Sequence, residues 1–155
     1  MKGEEAAGLG PSALVERMFE AFAARDAGTL LGLMHPEIEF FGPTATILNE
    51  GQCYRGHDGI RRYLKDADAL WRRLELMPST YREVGNHVVV LGRVSAQARD
   101  GLDLDAAAAW VWRVEHDRIT WGCAYGDREA MPRSLREDAR PEIRARRQAL
   151  PLRAR

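Results

Sequence analysis

The sequence has 155 residues, enough for one domain with a buried core, and its composition of 45% hydrophobic and 30% charged residues is typical of a globular protein. The formal net charge is zero but unevenly distributed. Residues 133–155 carry eight arginines and three acidic residues, so residues 1–132 carry a net charge of −5. An acidic body with a short basic tail argues against a nucleic-acid-binding domain.

The N-terminus and the cysteines indicate the compartment. Residues 1–10 contain two glutamates and no apolar segment of the kind that a signal peptide requires. No apolar run approaches the roughly 20 residues that span a bilayer. Cys53 and Cys123 form neither a C-x-x-C pair nor a disulfide framework. We therefore expect a cytoplasmic protein that has no membrane partner.

Amphipathic helices and one short strand are predicted for the first half of the chain. Ser12 is a typical N-cap, and the apolar residues after it recur at helical spacing. Pro36 ends a second helix, because proline disfavours helical backbone in the residue before it. The predicted elements are helices at 12–25, 27–34 and 57–74, a strand at 38–41 and a loop at 44–56.

Four strands are predicted for the second half, joined by turns at Gly85-Asn86, Asp100-Gly101 and His116-Asp117. Helices followed by strands predict an α+β fold, in which three helices pack on one face of a curved, mainly antiparallel sheet. We expect this domain to span residues 12–131, between a flexible N-terminus (1–11) and an Arg/Pro-rich tail (132–155) that is partly mobile. The predicted strands are 75–84, 87–98, 104–115 and 118–126.

Several local strings follow one another in a characteristic order. They are Tyr54-Arg55-Gly56-His57-Asp58-Gly59-Ile60, Val90-Leu91-Gly92-Arg93-Val94, Leu104-Asp105-Ala106 before Trp110-Val111-Trp112, and Tyr125-Gly126-Asp127-Arg128-Glu129-Ala130. With the element order, they resemble the SnoaL-like family, whose NTF2-like cone fold is shared by polyketide cyclases, steroid isomerases and limonene-type epoxide hydrolases. The resemblance implies a cone with one small-molecule pocket, no cofactor and frequent homodimerisation.

The residues that define the best-known mechanisms of this fold are missing. By the resemblance, the base of the steroid isomerases falls on Gly42 and their protonated aspartate on Ala109. The epoxide hydrolases use Arg-x-Asp and a second aspartate, and these acidic positions hold Ser95 and Ala124. Neither mechanism is therefore expected here.

Asp105 and Arg93 are the candidate catalytic residues. Cyclases of the family use an aspartate as general acid/base, and Asp105 shares a strand face with small residues that would border the pocket. Arg93 would hold an oxyanion or anchor the substrate. The alternatives are a solvated Asp105 and an Arg93 that forms a salt bridge with it. Tyr54 and His57, beside the turn into the third helix, are candidate substrate contacts at the rim.

The function that these residues suggest is a cofactor-independent cyclase, isomerase or dehydratase acting on a small apolar carbonyl compound. The alternative is a non-catalytic ligand-binding module of the same fold, and the fold itself does not decide between them. No metal or nucleotide cofactor is expected, because the four histidines are scattered singly and no Gly-rich phosphate loop follows a strand.

The last two predicted strands combine a small-residue face with an aromatic face. If Glu115 pairs with Arg118, Trp112 lies opposite Trp121. A lone sheet should have one polar face, so the aromatic face needs a cover, which a homodimer would supply. In the opposite assignment, Trp110 and Trp112 line the pocket and contact a planar ligand. The aromatic face carries Trp110, Trp112, Trp121 and Tyr125 with Cys123, and the small face carries Ala107, Ala109, Val111, Gly122 and Ala124.

Overall fold

The computed structural model describes residues 9–125, 131–132, 135 and 142–144. The helices in these residues are α1 (Pro11–Ala23), α2 (Ala27–Gly32), α3 (Pro43–Leu48) and α4 (Gly56–Leu70). The strands are β1 (Met34–Phe41), β2 (Tyr54–Arg55), β3 (Trp71–Val84), β4 (His87–Ala98), β5 (Asp103–Glu115), β6 (Arg118–Tyr125) and β7 (Glu142–Arg144). None of the described helices has the length and apolar character needed to cross a bilayer. Most of the predicted flexible termini lies outside the described residues, so the domain bounds stay predictions.

The strands form one sheet in the order β2-β1-β6-β5-β4-β3-β7. Strands β3 to β6 make the antiparallel meander that the turn residues predict, and both residues of the last turn, His116 and Asp117, have positive φ as tight hairpin turns require. β1 lies parallel to β6, and the helices bury their apolar residues against one face of the sheet. The predicted α+β fold is confirmed.

Element boundaries differ from the prediction in several places. The short elements α3, β2 and β7 lie where a loop and a tail are predicted. The helix predicted to reach residue 74 ends at Leu70, because Trp71 already has extended backbone with φ −108° and ψ 129°. Pro36 lies inside β1 instead of ending a helix there. It is tolerated because the pairing of β1 with β6 is interrupted between Met34 and Glu39.

Helix α1 contacts the sheet through a polar residue near its start and through its apolar side. Ser12 is not its N-cap, since that position is Gly10 and Pro11 occupies the first turn. The Ser12 hydroxyl instead donates a hydrogen bond to Glu83 Oε2 on β3, at 2.8 Å. The apolar side of the helix is buried, and consists of Leu14, Val15, Met18, Phe19, Ala21 and Phe22.

A register shift between β5 and β6 decides which side chains face the helices. Val114 pairs with Ile119, but Arg113 pairs with Trp121, so that Thr120 is an extra residue on β6. Beyond this bulge, Trp112 lies opposite Gly122. The predicted pairing of Trp112 with Trp121 is wrong, because one extra residue exchanges the two faces of the remaining strand.

We call the sheet face that meets the helices the inner face and the opposite one the outer face. Trp110 and Trp112 are on the inner face, 3% and 4% exposed, and contact Phe19 of α1 with ring centroids 5.2 and 6.0 Å apart. Trp121 belongs to the outer-face cluster, and Tyr125, the last residue of β6, packs against that cluster but also borders the space between the sheet and the helices. The prediction that these four aromatic residues share one face is therefore wrong. The homodimer itself stays a prediction.

The outer face is partly covered by two residues that follow β6 in the chain, Met131 and Leu135. Met131 is 3% exposed and belongs to a second apolar cluster with Val89, Ala109 and Val111. Leu135 packs at the edge of this cluster, and its carbonyl accepts a hydrogen bond from the Arg82 guanidinium on β3. A cover for the outer face is therefore present within the chain itself.

Candidate ligand-binding site

A cavity of about 180 Å³ lies between the inner face and the helices. At one end it is bounded by the buried Met18 and Phe19 of α1, and at the other by the exposed side chains of Pro43 and Leu104. Its opening to solvent is therefore on the side of α3 and the start of β5. Other lining residues are Phe22, Leu30, Met34, Phe40, Gly42, Thr44, Ile60, Tyr63, Trp71, Leu74, Leu76, Val94, Ala106, Ala107, Ala108, Trp110, Trp112, Ala124 and Tyr125.

Aromatic rings form one wall of the cavity. Phe40 of β1 stacks on Trp112 with centroids 5.6 Å apart and planes 4° from parallel. This arrangement depends on Gly122 of β6, the strand that lies between β1 and β5. A Cβ at that position would overlap Cζ3 and Cε3 of the Trp112 ring, so only glycine leaves room for the stack. The absence of a side chain at residue 122 therefore allows this aromatic wall to form.

The α4 side of the cavity carries Tyr63. Its ring contacts Phe22, Phe40 and Tyr54 at centroid distances of 6.1, 5.0 and 5.4 Å. Burial raises the pKa of Tyr63 to about 12, although the positive charge of Arg25 acts in the opposite direction. The phenol is therefore neutral near pH 7 and can donate a hydrogen bond, but it cannot act as a base.

Few polar groups line the cavity. At the open end, Trp71 Nε1 donates a hydrogen bond to Thr44 Oγ1 at 3.4 Å, which connects α3 to β3. The indole Nε1–H of Trp112 is buried and has no acceptor among the described residues. The described lining residues include no aspartate, glutamate, histidine, lysine or arginine. Within the described ranges, no group of three or more acidic, histidine or cysteine side chains is placed to hold a metal ion.

Residues 15–121 match the family model of the SnoaL-like domain. The chain belongs to this family. No curated protein matches the sequence. The SnoaL-like assignment agrees with the element order, and it leaves the activity open because the fold serves many functions.

Solved structures share the fold of this SnoaL-like domain. An NTF2-like protein of unknown function from Burkholderia pseudomallei K96243 is 24% identical, with a TM-score of 0.69 over 76% of this chain and 90% of that one. TerC, co-crystallised with polyporic acid, is 23% identical, with a TM-score of 0.66 over 84% and 95%. A candidate polyketide cyclase from Pseudomonas putida KT2440 is 16% identical, with a TM-score of 0.64 over 76% and 92%. These identities establish the fold alone.

The SnoaL-like domain holds Asp105 and Arg93 on its outer face. Arg93 Nη2 lies 3.4 Å from Asp105 Oδ1, and the two side chains are 12% and 32% exposed. Asp105 is not among the residues that line the cavity, which on β5 are mostly even-numbered, although Ala107 on the same side of the strand is one of them. The pair corresponds to the salt-bridge alternative. Neither residue lines the cavity, so the geometry gives their predicted catalytic roles no support.

Tyr54 and His57 connect helix α4 to the neighbouring strands β2 and β1. Tyr54 is 1% exposed, and its hydroxyl donates a hydrogen bond to Asp66 Oδ2 at 2.7 Å. His57 Nε2 lies 2.9 Å from the carbonyl oxygen of Met34 on β1. Neither residue is among those that line the cavity, so the predicted contacts at a pocket rim find no support in the geometry.

Trp110 and Trp112 do line the cavity, as the second of the two open assignments predicts. The sequence does not predict the aromatic lining residues that come from other elements, among them Phe40, Tyr63 and Trp71. Tyr63 has a detectable signal, since it follows Ile60 by three positions on the apolar side of a predicted helix. Phe40 and Trp71 have none, because only the tertiary fold brings β1 and β3 into one sheet with β5 and places both residues at the same cavity.

The buried tyrosines predict a loss of stability in alkaline solution. Burial raises the pKa of Tyr63 and Tyr125 to about 12, above the value of about 10 in the unfolded chain. Their contribution is complete below about pH 10 and is lost as the pH rises toward 12, because the unfolded chain then releases protons that the folded one retains. We expect the melting temperature to fall over this range, and to fall less for Tyr63→Phe. Equal slopes for the two proteins would contradict the assignment to Tyr63.

Proposed function

We propose that this protein binds a small, flat, neutral organic molecule in the cavity, and that it does so as a binding module and not as an acid–base enzyme. The observation that carries the proposal is the composition of the wall. Aromatic and aliphatic side chains form it, and the described lining residues supply no carboxylate, imidazole or amine. The two lining tyrosines have pKa values of about 12, too high for a general base near pH 7.

The size of the cavity favours a ligand of one or two rings. At about 180 Å³ it is smaller than the roughly 300–1,000 Å³ typical of sites for drug-sized molecules. An apolar cavity of about 150 Å³ is nevertheless sufficient to bind benzene. The apolar wall would drive binding by removing ligand surface from water, at about 25 cal/mol for each Å².

The structural neighbours support an organic ligand, and the lining favours a neutral one. TerC was co-crystallised with polyporic acid, and another neighbour is a candidate polyketide cyclase. In this chain the described lining residues include no arginine, lysine or histidine to pair with an acid. Burying an unpaired carboxylate is costly, so we expect an uncharged ligand.

Location and assembly complete the proposal. Cys53 and Cys123 are both free thiols, which fits a reducing compartment, and we propose the cytoplasm. We also propose a homodimer in which Trp121 of the outer face, which is only partly buried, contacts the second copy.

Filling the cavity is expected to abolish binding of indane, a flat bicyclic hydrocarbon. Ala108, on the inner face of β5, lines the cavity, and Ala108→Phe would occupy the space that the ligand needs. We expect titration calorimetry to show at least about a tenfold loss of indane affinity, equal to about 1.4 kcal/mol.

Two variants serve as controls for this experiment. Ala69 is exposed on α4, so Ala69→Phe adds the same side chain away from the cavity. Asp105→Asn removes the predicted acid from the outer face. Both should bind indane as the wild type does. Unchanged affinity in Ala108→Phe, or no binding of indane or naphthalene by the wild type, would overturn the proposal.

A further inference from the structure

One buried hydrogen-bond donor in the cavity wall has no acceptor. Trp112 is 4% exposed and lines the cavity, and its indole Nε1–H makes no hydrogen bond with any described residue. The other indole at the cavity mouth differs, because Trp71 Nε1 donates to Thr44 Oγ1. Buried donors are nearly always paired, so an unpaired one beside a cavity requires an explanation.

The orientation of the Trp112 ring is fixed by its neighbours. The edge formed by Cε3, Cζ3 and Cη2 lies over Gly122, and one face stacks on Phe40. Phe19 approaches as well, at 6.0 Å between centroids and with its plane 88° from that of Trp112. The Nε1 edge is on the opposite side of the indole from the Gly122 contact, so it is directed away from β6. With the ring held in this way, none of the described residues around it accepts a hydrogen bond from the N–H.

We infer that Trp112 selects ligands that carry a hydrogen-bond acceptor, a carbonyl or ether oxygen, on a flat apolar ring system. The inference rests on the proposed function, because it concerns the same cavity. A buried donor left without a partner is costly, and a ligand oxygen that accepts from Nε1 removes this cost. A hydrocarbon of the same shape would fill the cavity but leave the N–H unpaired.

The chemistry of the wall narrows the acceptor to a neutral one. A carboxylate or phosphate would satisfy the N–H, but its charge would remain without a counter-ion among the described lining residues. A ketone, a quinone or an aryl ether has an acceptor oxygen and no charge. Trp112 therefore acts as a specificity-determining residue for ligands of this class.

Two ligands that differ by one carbonyl group test the inference. Indane and 1-indanone share a bicyclic skeleton, and titration calorimetry gives the ratio of their affinities for each protein. In Trp112→Phe, which keeps an aromatic ring and removes the N–H, we expect the preference for 1-indanone over indane to fall about tenfold. Trp121→Phe makes the same replacement on the outer face and should leave the ratio unchanged. The ratio cancels any general effect of the substitution on cavity size.

A spectroscopic measurement on the wild type covers the case in which Trp112→Phe does not fold. The chain contains four tryptophans, so protein labelled with ¹⁵N-tryptophan gives four indole N–H signals. We expect one of them to move downfield with 1-indanone and to move less with indane. An affinity ratio that is the same in Trp112→Phe and wild type, or an equal response of all indole signals to both ligands, would overturn the inference. Binding of neither ligand to the wild type would overturn the proposed function itself.

Discussion

Replacing Gly92 with alanine is expected to lower the free energy of unfolding by about 3 kcal/mol. Gly92 of β4 pairs with Pro78 of β3 beside a bulge, where the register shifts between Pro78 and Thr80. A Cβ at this position would overlap the carbonyl oxygen of Met77 and lie 2.8 Å from Pro78 Cα. These are backbone atoms, so no side-chain rotation relieves the clash, and strands β3 and β4 have to separate locally.

The measurement is thermal and urea unfolding of Gly92→Ala beside the wild type. For a chain of this length, a loss of about 3 kcal/mol corresponds to a decrease of roughly 10 °C in the melting temperature. Gly10→Ala is the matched control, because a Cβ there would meet nothing within 4 Å. A melting temperature for Gly92→Ala within about 2 °C of the wild type would show that the two strands are not packed as described.

Gly122→Ala is expected to destabilise the fold by about 2 kcal/mol and to displace Trp112 from the cavity wall. The new Cβ overlaps the Trp112 ring, and the ring can move away only by leaving its stack with Phe40. We expect a lower melting temperature, a changed near-ultraviolet circular dichroism spectrum and weaker binding of indane, since the same ring borders the cavity.

A double-mutant cycle identifies Trp112 as the origin of this effect. In a Trp112→Leu background the smaller side chain leaves space over residue 122, so adding Gly122→Ala should cost much less than it does in the wild type. Residues in contact show such non-additivity, whereas distant ones do not. Equal costs of Gly122→Ala in both backgrounds would place the strain elsewhere.

The regular parts of this fold could be predicted from local patterns. Strand β4 spans His87–Ala98 as predicted, because two turn dipeptides bound a run of alternating and β-branched residues. Helix α1 is similarly clear, since its large apolar residues recur with helical spacing and are buried in the structure. In both cases the signal lies within one element and its immediate neighbours along the chain.

The composition of the cavity could not be predicted in the same way, because it depends on a one-residue shift in the pairing of β5 with β6. The last hairpin turn is correct, and with perfect pairing Trp112 would lie opposite Trp121. Thr120 is bulged instead, and Trp112 lies opposite Gly122. Nothing in the local pattern marks Thr120 as the extra residue. The energetic reason emerges only in the assembled sheet, where glycine at 122 lets the Trp112 ring stack on Phe40.

The position of Asp105 outside the cavity lining could not be predicted either, because of the same uncertainty about faces. Its alternation with Ala107 and Ala109 is read correctly, and all three do share one side of β5. Whether that side meets the helices is decided by the packing of Trp110 and Trp112 against α1, which lies far away in sequence. A pattern of alternating residues defines two faces of a strand and does not say which of them is buried.

If the cavity binds ligands as proposed, its uncharged wall would also select against charged molecules. A phosphorylated or carboxylated molecule would lose its hydration on entering the cavity and meet no opposite charge among the described lining residues. The cost of dehydrating its charge would therefore exclude it. For a sparingly soluble ring compound, the favourable free energy of binding grows in proportion to the apolar surface that is removed from water. The protein would then keep poorly water-soluble molecules in solution, and it would select them without recognising a charge.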